Sequence, residues 1–133
     1  MISVIYGPKG TGKTRRIFDA ANNCCEKATG TVVFIADNGQ SLGLNHNIKF
    51  INLSEYDVKS EEEFVGFIKG MLAANFDIQA VYIDGISRLI AKPAEELKDI
   101  FEAMEKADDK VQFVCTLSID KLPAYLKKYA AKN

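Results

Sequence analysis

The chain has 133 residues, 47% hydrophobic and 26% charged, with a formal net charge of −1. These values fit an ordinary globular chain of single-domain length, expected here as one domain over 1–133. They exclude a global basic field for nucleic acid, and no apolar run approaches the roughly 20 residues that cross a bilayer. Met1 leads directly into a short apolar run without a signal-peptide layout, and three cysteines lack zinc spacing. A reduced, cytoplasmic setting is therefore expected.

The first element is Ile2-Ser3-Val4-Ile5-Tyr6, a strand-length apolar run. It delivers Gly7-Pro8-Lys9-Gly10-Thr11-Gly12-Lys13-Thr14, a complete G-x-x-x-x-G-K-[ST] phosphate-binding pattern. A helix is predicted from Lys13 to about Glu26. Strand, loop and helix in register are what triphosphate binding needs. Glycines let backbone N–H groups turn inward around phosphates, and the helix N-terminus adds a favourable dipole. Lys13 would neutralise the outer phosphates, and the Thr14 hydroxyl would be a magnesium ligand. Lys9, Arg15 and Arg16 are basic residues in the same neighbourhood, and Arg15 is grouped with the loop as a nucleotide contact.

Cys24 and Cys25, near the helix end, read as filler, as does Cys115 in a later strand. Thr31–Ala36 is a second strand, followed by Asp37-Asn38-Gly39, which taken alone reads as a turn. His46 stands alone in a polar loop, which argues against a metal cluster or a histidine relay. Ile48–Leu53 is a third strand. Ser60 and Glu63 form a capping box, opening a helix with Phe64, Phe67, Ile68, Met71 and Leu72 on one face.

Ala80-Val81-Tyr82-Ile83-Asp84 is an apolar strand ending in a carboxylate before Gly85. Alone, that Asp reads as a turn former; beside a phosphate-binding loop it reads as a magnesium ligand acting through water. Arg88 follows one turn later and, like Lys9, Arg15 and Arg16, reads first as solvated surface charge, with contact to phosphate or a neighbouring subunit as its second reading. Pro93 is expected in the first turn of a helix that buries Leu97, Ile100, Phe101 and Met104. Val111–Leu117 is a fifth strand. Asp120 is expected to cap a last helix carrying Leu122, Leu126 and Tyr129, with Lys121, Lys127, Lys128 and Lys132 as its solvated face.

Near-continuous apolar strands alternating with amphipathic helices imply a parallel sheet covered on both sides. The segment Val81-Tyr82-Ile83-Asp84-Gly85-Ile86-Ser87-Arg88-Leu89 resembles the second motif of RecA-like P-loop ATPases, and Val32–Asn38 is similar to that family's second strand. Val111–Ser118 is similar to its later strand, which ends in a polar residue sensing the γ-phosphate. The resemblance implies a three-layer α/β/α fold with five parallel strands in the order 3-2-4-5-1: Ile48–Leu53, Thr31–Ala36, Ala80–Asp84, Val111–Leu117, Ile2–Tyr6. It implies Asp37 as general base and Ser118 as sensor. The chain departs from the family in having Asp37-Asn38 where Glu is usual and no Glu after Asp84. It also ends about one helix after the fifth strand, which would leave Ile2–Tyr6 an exposed apolar edge inviting self-association or a larger protein partner.

The leading expectation is a Mg²⁺-dependent ATP-binding protein with slow or partner-stimulated hydrolysis. A non-hydrolysing, nucleotide-responsive binding module is the alternative, supported by the missing Glu. A small nucleotide or nucleoside kinase would need clustered arginines after Arg88, and there are none. ATP is favoured over GTP: Ser87 stands where D-x-x-G needs Gly, and Leu117-Ser118-Ile119-Asp120 lacks the Asn and Lys of a guanine-reading motif.

Overall fold

The computed structural model describes residues 1–107 and 109–131. The strands are β1 (Ile2–Gly7), β2 (Thr31–Ala36), β3 (Lys49–Asn52), β4 (Ile78–Ile83) and β5 (Gln112–Ser118). Every neighbouring pair is parallel, and the sheet order is β1-β5-β4-β2-β3. Read from the other edge this is 3-2-4-5-1, the expected order. The strand next to β1 is therefore β5, and β4 lies between β5 and β2.

The α-helices are α1 (Lys13–Lys27), α2 (Glu61–Ala74), α3 (Ile86–Ile90) and α4 (Lys98–Glu105). Strands β2 and β4 are buried along nearly their whole length because both faces are covered. On one side Val33, Ile35, Val81, Ile83, Phe113 and Cys115 pack with Phe64 and Ile68 of α2 and with Ile100, Phe101 and Met104 of α4. On the other, Val32, Phe34, Ala80, Tyr82 and Val114 pack with Ile17 and Ala21 of α1. The alternation of side chains along each strand divides these two cores. The result is the RecA-like α/β/α architecture.

The cap expected at Ser60 forms on one side, with Ser60 Oγ accepting from the Glu63 N–H at 3.0 Å, but Glu63 Oε1 accepts from the N–H of Lys59, one residue before the cap, at 2.9 Å.

Three expectations are corrected. The helix expected to begin at Pro93 is broken into a 3₁₀ turn, Ala94–Glu96, and α4, with Leu97 at the junction at φ −102° and ψ 20°. Pro93 itself is extended and precedes the turn. The break has a partner from outside the segment, since buried Glu61 of α2 accepts from the Ile100 N–H at 3.2 Å near the start of α4. Leu97, Ile100, Phe101 and Met104 are buried as expected.

The last helix is not an α-helix capped by Asp120. A 3₁₀ turn spans Ala124–Tyr129 after Pro123. Proline disfavours the helical region for the residue before it, here Leu122, which works against a helix begun at Asp120, and Pro123 itself is extended. Leu126 is buried, and Phe101 meets the rings of Tyr125 and Tyr129. Lys132 of the expected lysine face lies outside the described residues.

That turn also changes the edge. Ala130 pairs in parallel with Val4, and the Ala131 N–H donates to the Val4 carbonyl at 2.8 Å. The β1 edge, expected to be open, is thus partly occupied by the chain's own C-terminal segment, which removes part of the ground for self-association.

Candidate functional site

Because all five strands run the same way, β1, β2, β4 and β5 bring Gly7, Asp37, Asp84 and Ser118 to one edge of the sheet. This is where an open α/β sheet forms its crevice. Gly10 and Gly12 both sit at φ 82°, in the left-handed region, and Gly12 immediately precedes α1. A side chain at either position would strain the turn. The loop closes on the Pro8 carbonyl, which accepts from Thr11 Oγ1 at 2.7 Å and from Lys13 Nζ at 2.8 Å. Lys13 is 8% exposed, so its ammonium is held within the loop, whereas Lys9, Arg15 and Arg16 are exposed.

Asp84 follows β4 and is 7% exposed. Its N–H donates to the Ile35 carbonyl at 3.0 Å, tying it to β2. Each carboxylate oxygen receives a hydroxyl: Thr14 Oγ1 donates to Oδ2 at 3.1 Å, and Thr116 Oγ1 donates to Oδ1 at 2.7 Å. Thr116 in turn accepts from the Gly85 N–H at 2.6 Å. The carboxylate is therefore oriented from α1 on one side and β5 on the other.

Thr116 was not singled out in the sequence. The available signal was a polar residue inside Val111–Leu117, a strand buried on both faces. Such a residue needs a hydrogen-bond partner. Ser118, two residues on, is exposed and stands opposite Gly7 in the β1–β5 register. It lines a cleft with Lys9, Gly85, Arg88 and Thr116.

Asp37, just past β2, is held by Arg88 of α3. Arg88 Nε lies 2.5 Å from Oδ2 and Nη2 lies 3.2 Å from Oδ1, a two-pronged pair. Asn38 Nδ2 adds a bond to Oδ1 at 3.1 Å. The hydrogen bond from Arg88 is the largest influence on the Asp37 carboxyl and holds it below the ordinary carboxylate value, outweighing partial burial. While Arg88 stays there, Asp37 is a weak proton acceptor.

Helix α3 was not foreseen. It is short because both ends turn left-handed, with Gly85 at φ 76° and Ala91 at φ 58°. Arg88 folds back over Gly85 so closely that a Cβ there would lie 2.5–2.8 Å from its guanidinium atoms.

Other residues weighed in the sequence take no part. Cys24 and Cys25 pack partly buried against the α1-side core. Cys115 is buried, which pushes its thiol up to about 12, so it is inert at neutral pH. Among the described residues, no three His, Cys, Asp or Glu side chains are grouped as a metal cage. A magnesium ion would suit Thr14 and Asp84 nonetheless, because it takes oxygen ligands, keeps several waters and uses only one or two protein groups.

No protein-family model and no curated protein matches the sequence. Among solved structures the chain is similar to the flagellar accessory protein FlaH from Methanocaldococcus jannaschii, with a TM-score of 0.63 at 16% identity. The alignment covers 96% of this chain and 65% of that one, so the chain spans less than two thirds of its neighbour's length. At this identity the likeness shows a shared fold. No helix among the described residues is long and apolar enough to cross a membrane.

Proposed function

We propose that this chain is a Mg²⁺-dependent, ATP-binding domain of the P-loop class that hydrolyses ATP slowly or on stimulation by a partner. The observation that carries the reading is the Thr14–Asp84 hydrogen bond at the mouth of the Gly7–Thr14 loop. A hydroxyl and a buried carboxylate, from opposite halves of the chain, meet where the sequence pattern calls for a metal-bound phosphate.

On this reading, backbone N–H groups of residues 7–14 and the α1 N-terminus receive the phosphates. Lys13 exchanges the Pro8 carbonyl for phosphate oxygens, and Arg15 lies at the rim. Mg²⁺, held by Thr14 directly and by Asp84 through water, would neutralise charge on the phosphates. Thr116 keeps the Asp84 carboxylate turned toward Thr14. Ser118 faces the terminal phosphate as a sensor, and Asp37 receives the proton of the attacking water. ATP is preferred to GTP because the guanine-reading residues are missing.

The alternative, a nucleotide-responsive module that does not hydrolyse, draws on the Asp37–Arg88 pair, which occupies the only carboxylate offered as base. Single-turnover hydrolysis of labelled ATP separates the two. Activity that rises more than linearly with protein concentration would favour stimulation by a second copy.

Titrating ATP and GTP, with and without Mg²⁺, against wild type and Lys13→Ala tests the primary reading. Wild type should bind ATP in Mg²⁺, and Lys13→Ala should lose at least about 100-fold in affinity, since several charge-assisted hydrogen bonds disappear. Equal affinity of the two proteins would overturn it.

A further inference from the structure

We propose that Arg88 is the residue by which this site distinguishes a nucleoside triphosphate from a diphosphate, and that Asp37 holds it in reserve until the triphosphate arrives. The proposal rests on the phosphate-loop reading and extends it to the ion pair beside the loop.

The argument begins with position. Arg88 lies against Gly85, the residue after Asp84, and shares a cleft with Lys9, Thr116 and Ser118. Asp84 reaches Thr14 of the loop, so the guanidinium is next to the groups proposed to meet the outermost phosphate. Lys9, the other cation of that cleft near the loop, is exposed. A dianionic terminal phosphate would enter a cleft already lined by the cations Lys9, Arg88 and Lys92, the last of them paired with Glu61, and by Ser118.

The second point is that the present partner of Arg88 is replaceable. The Arg88 side chain is 56% exposed and that of Asp37 27%. Ion pairs this open to water are weak, because solvent screens them and competes for both partners. A guanidinium binds phosphate with the same two-pronged geometry that it uses toward a carboxylate. A phosphate carrying two negative charges therefore competes well against one carboxylate.

The third point is mechanical. Helix α3 is bounded by left-handed residues at Gly85 and Ala91, and its Ser87 hydroxyl donates to the Lys92 carbonyl. The Arg88 backbone is thereby fixed, and only its flexible side chain needs to turn. Gly85 leaves the room: any Cβ at that position would strike the guanidinium. Exchange of Asp37 for phosphate would couple two events. The terminal phosphate gains a cation, and the Asp37 carboxylate loses the group that suppresses its basicity.

The chain's arginines are Arg15, Arg16 and Arg88, so the Nε–H spectrum of arginine-labelled protein is simple, and Arg88→Lys assigns the Arg88 signal by its loss. Adding a non-hydrolysable ATP analogue with Mg²⁺ to wild type should shift that signal, and ADP should not. In equilibrium binding, Asp37→Asn should tighten ATP several-fold by releasing Arg88. Arg88→Ala should weaken ATP about tenfold or more, the scale of a lost charge-assisted hydrogen bond, with ADP affinity little changed in both. An Arg88 signal that stays in place at saturating analogue would overturn the proposal. So would Asp37→Asn protein with unchanged or weaker ATP affinity, or an Arg88→Ala loss equal for ATP and ADP. Wild type that binds no nucleotide at all would overturn the phosphate-loop reading together with this one. Normal wild-type binding with any of the preceding failures removes the Arg88 assignment alone.

Discussion

The Thr14 hydroxyl donates to Asp84 Oδ2 at 3.1 Å across 70 positions of sequence, joining the start of α1 to the end of β4. The contact exists because β1 and β4 flank β5 and all three strands point the same way. Parallel strands deliver their C-terminal residues to a common edge, so two short motifs far apart in the chain become one site.

Asp84→Asn should reduce Mg²⁺-dependent ATP binding far more than binding measured in a chelator. The amide keeps the shape and can still meet the Thr14 and Thr116 hydroxyls, which rotate to suit, but it lacks the charge a divalent ion needs. Isothermal titration with and without Mg²⁺ checks this. Equal losses in the two conditions would remove Asp84 from the metal site.

Thr116→Val keeps volume and removes the hydroxyl at a residue 2% exposed. It leaves the Gly85 N–H and Asp84 Oδ1 without their partner, so a destabilisation of about 1–3 kcal/mol is expected in urea unfolding. Mg²⁺-dependent nucleotide affinity should fall as well, because the carboxylate is free to rotate. A variant as stable as wild type would show that water replaces the hydroxyl.

The Asp37–Arg88 pair should carry a pH signature. The Asp37 carboxyl titrates below its ordinary value of 3.8, chiefly through the Arg88 hydrogen bond. A lowered folded-state value means that the pair stabilises the fold above that ordinary value and ceases to do so as pH falls through the folded one. The difference in melting temperature between wild type and Asp37→Asn should therefore be constant from neutral pH to mildly acidic pH and shrink below about 4. A difference that grows on acidification would contradict the pairing.

Gly30→Ala should be costly although Gly30 is remote from the site. A Cβ there would lie 2.3 Å from the Asp77 carbonyl oxygen, a backbone atom that cannot swing aside. That carbonyl also receives the Thr31 N–H at 2.7 Å, at the start of β2. Loss of about 1–3 kcal/mol is expected from forced backbone displacement. Thermal unfolding with nucleotide affinity measured in parallel checks it, since the site at the opposite end of β2 should bind normally once folded.

The α/β class was legible because it follows from local pattern, whereas the strand order came only from the resemblance to RecA-like P-loop ATPases. Continuous apolar runs such as Val32–Ala36 and Ala80–Ile83 suit strands covered on both faces, and the glycines of residues 7–14 permit the left-handed turns that a phosphate-binding loop needs. Such signals sit within a few residues, so a linear reading captures them. Gly10 and Gly12 are indeed left-handed, and α1 begins at Lys13.

Tertiary structure decided everything that depends on partners from elsewhere in the chain. Thr116 matters through Asp84 and Gly85, and Arg88 through Asp37; neither relationship leaves a trace in spacing. The stretch from Pro93 through Met104 has helical periodicity throughout, but the Glu61 carboxylate of α2 reaches the Ile100 N–H where the run divides. The C-terminal segment became a 3₁₀ turn and an edge pairing: Pro123 disfavours helical backbone at Leu122, and the Val4 carbonyl accepts from the Ala131 N–H. Periodicity reports which face a residue prefers to bury. Which hydrogen bonds it makes is settled only when the strands have placed distant groups within reach.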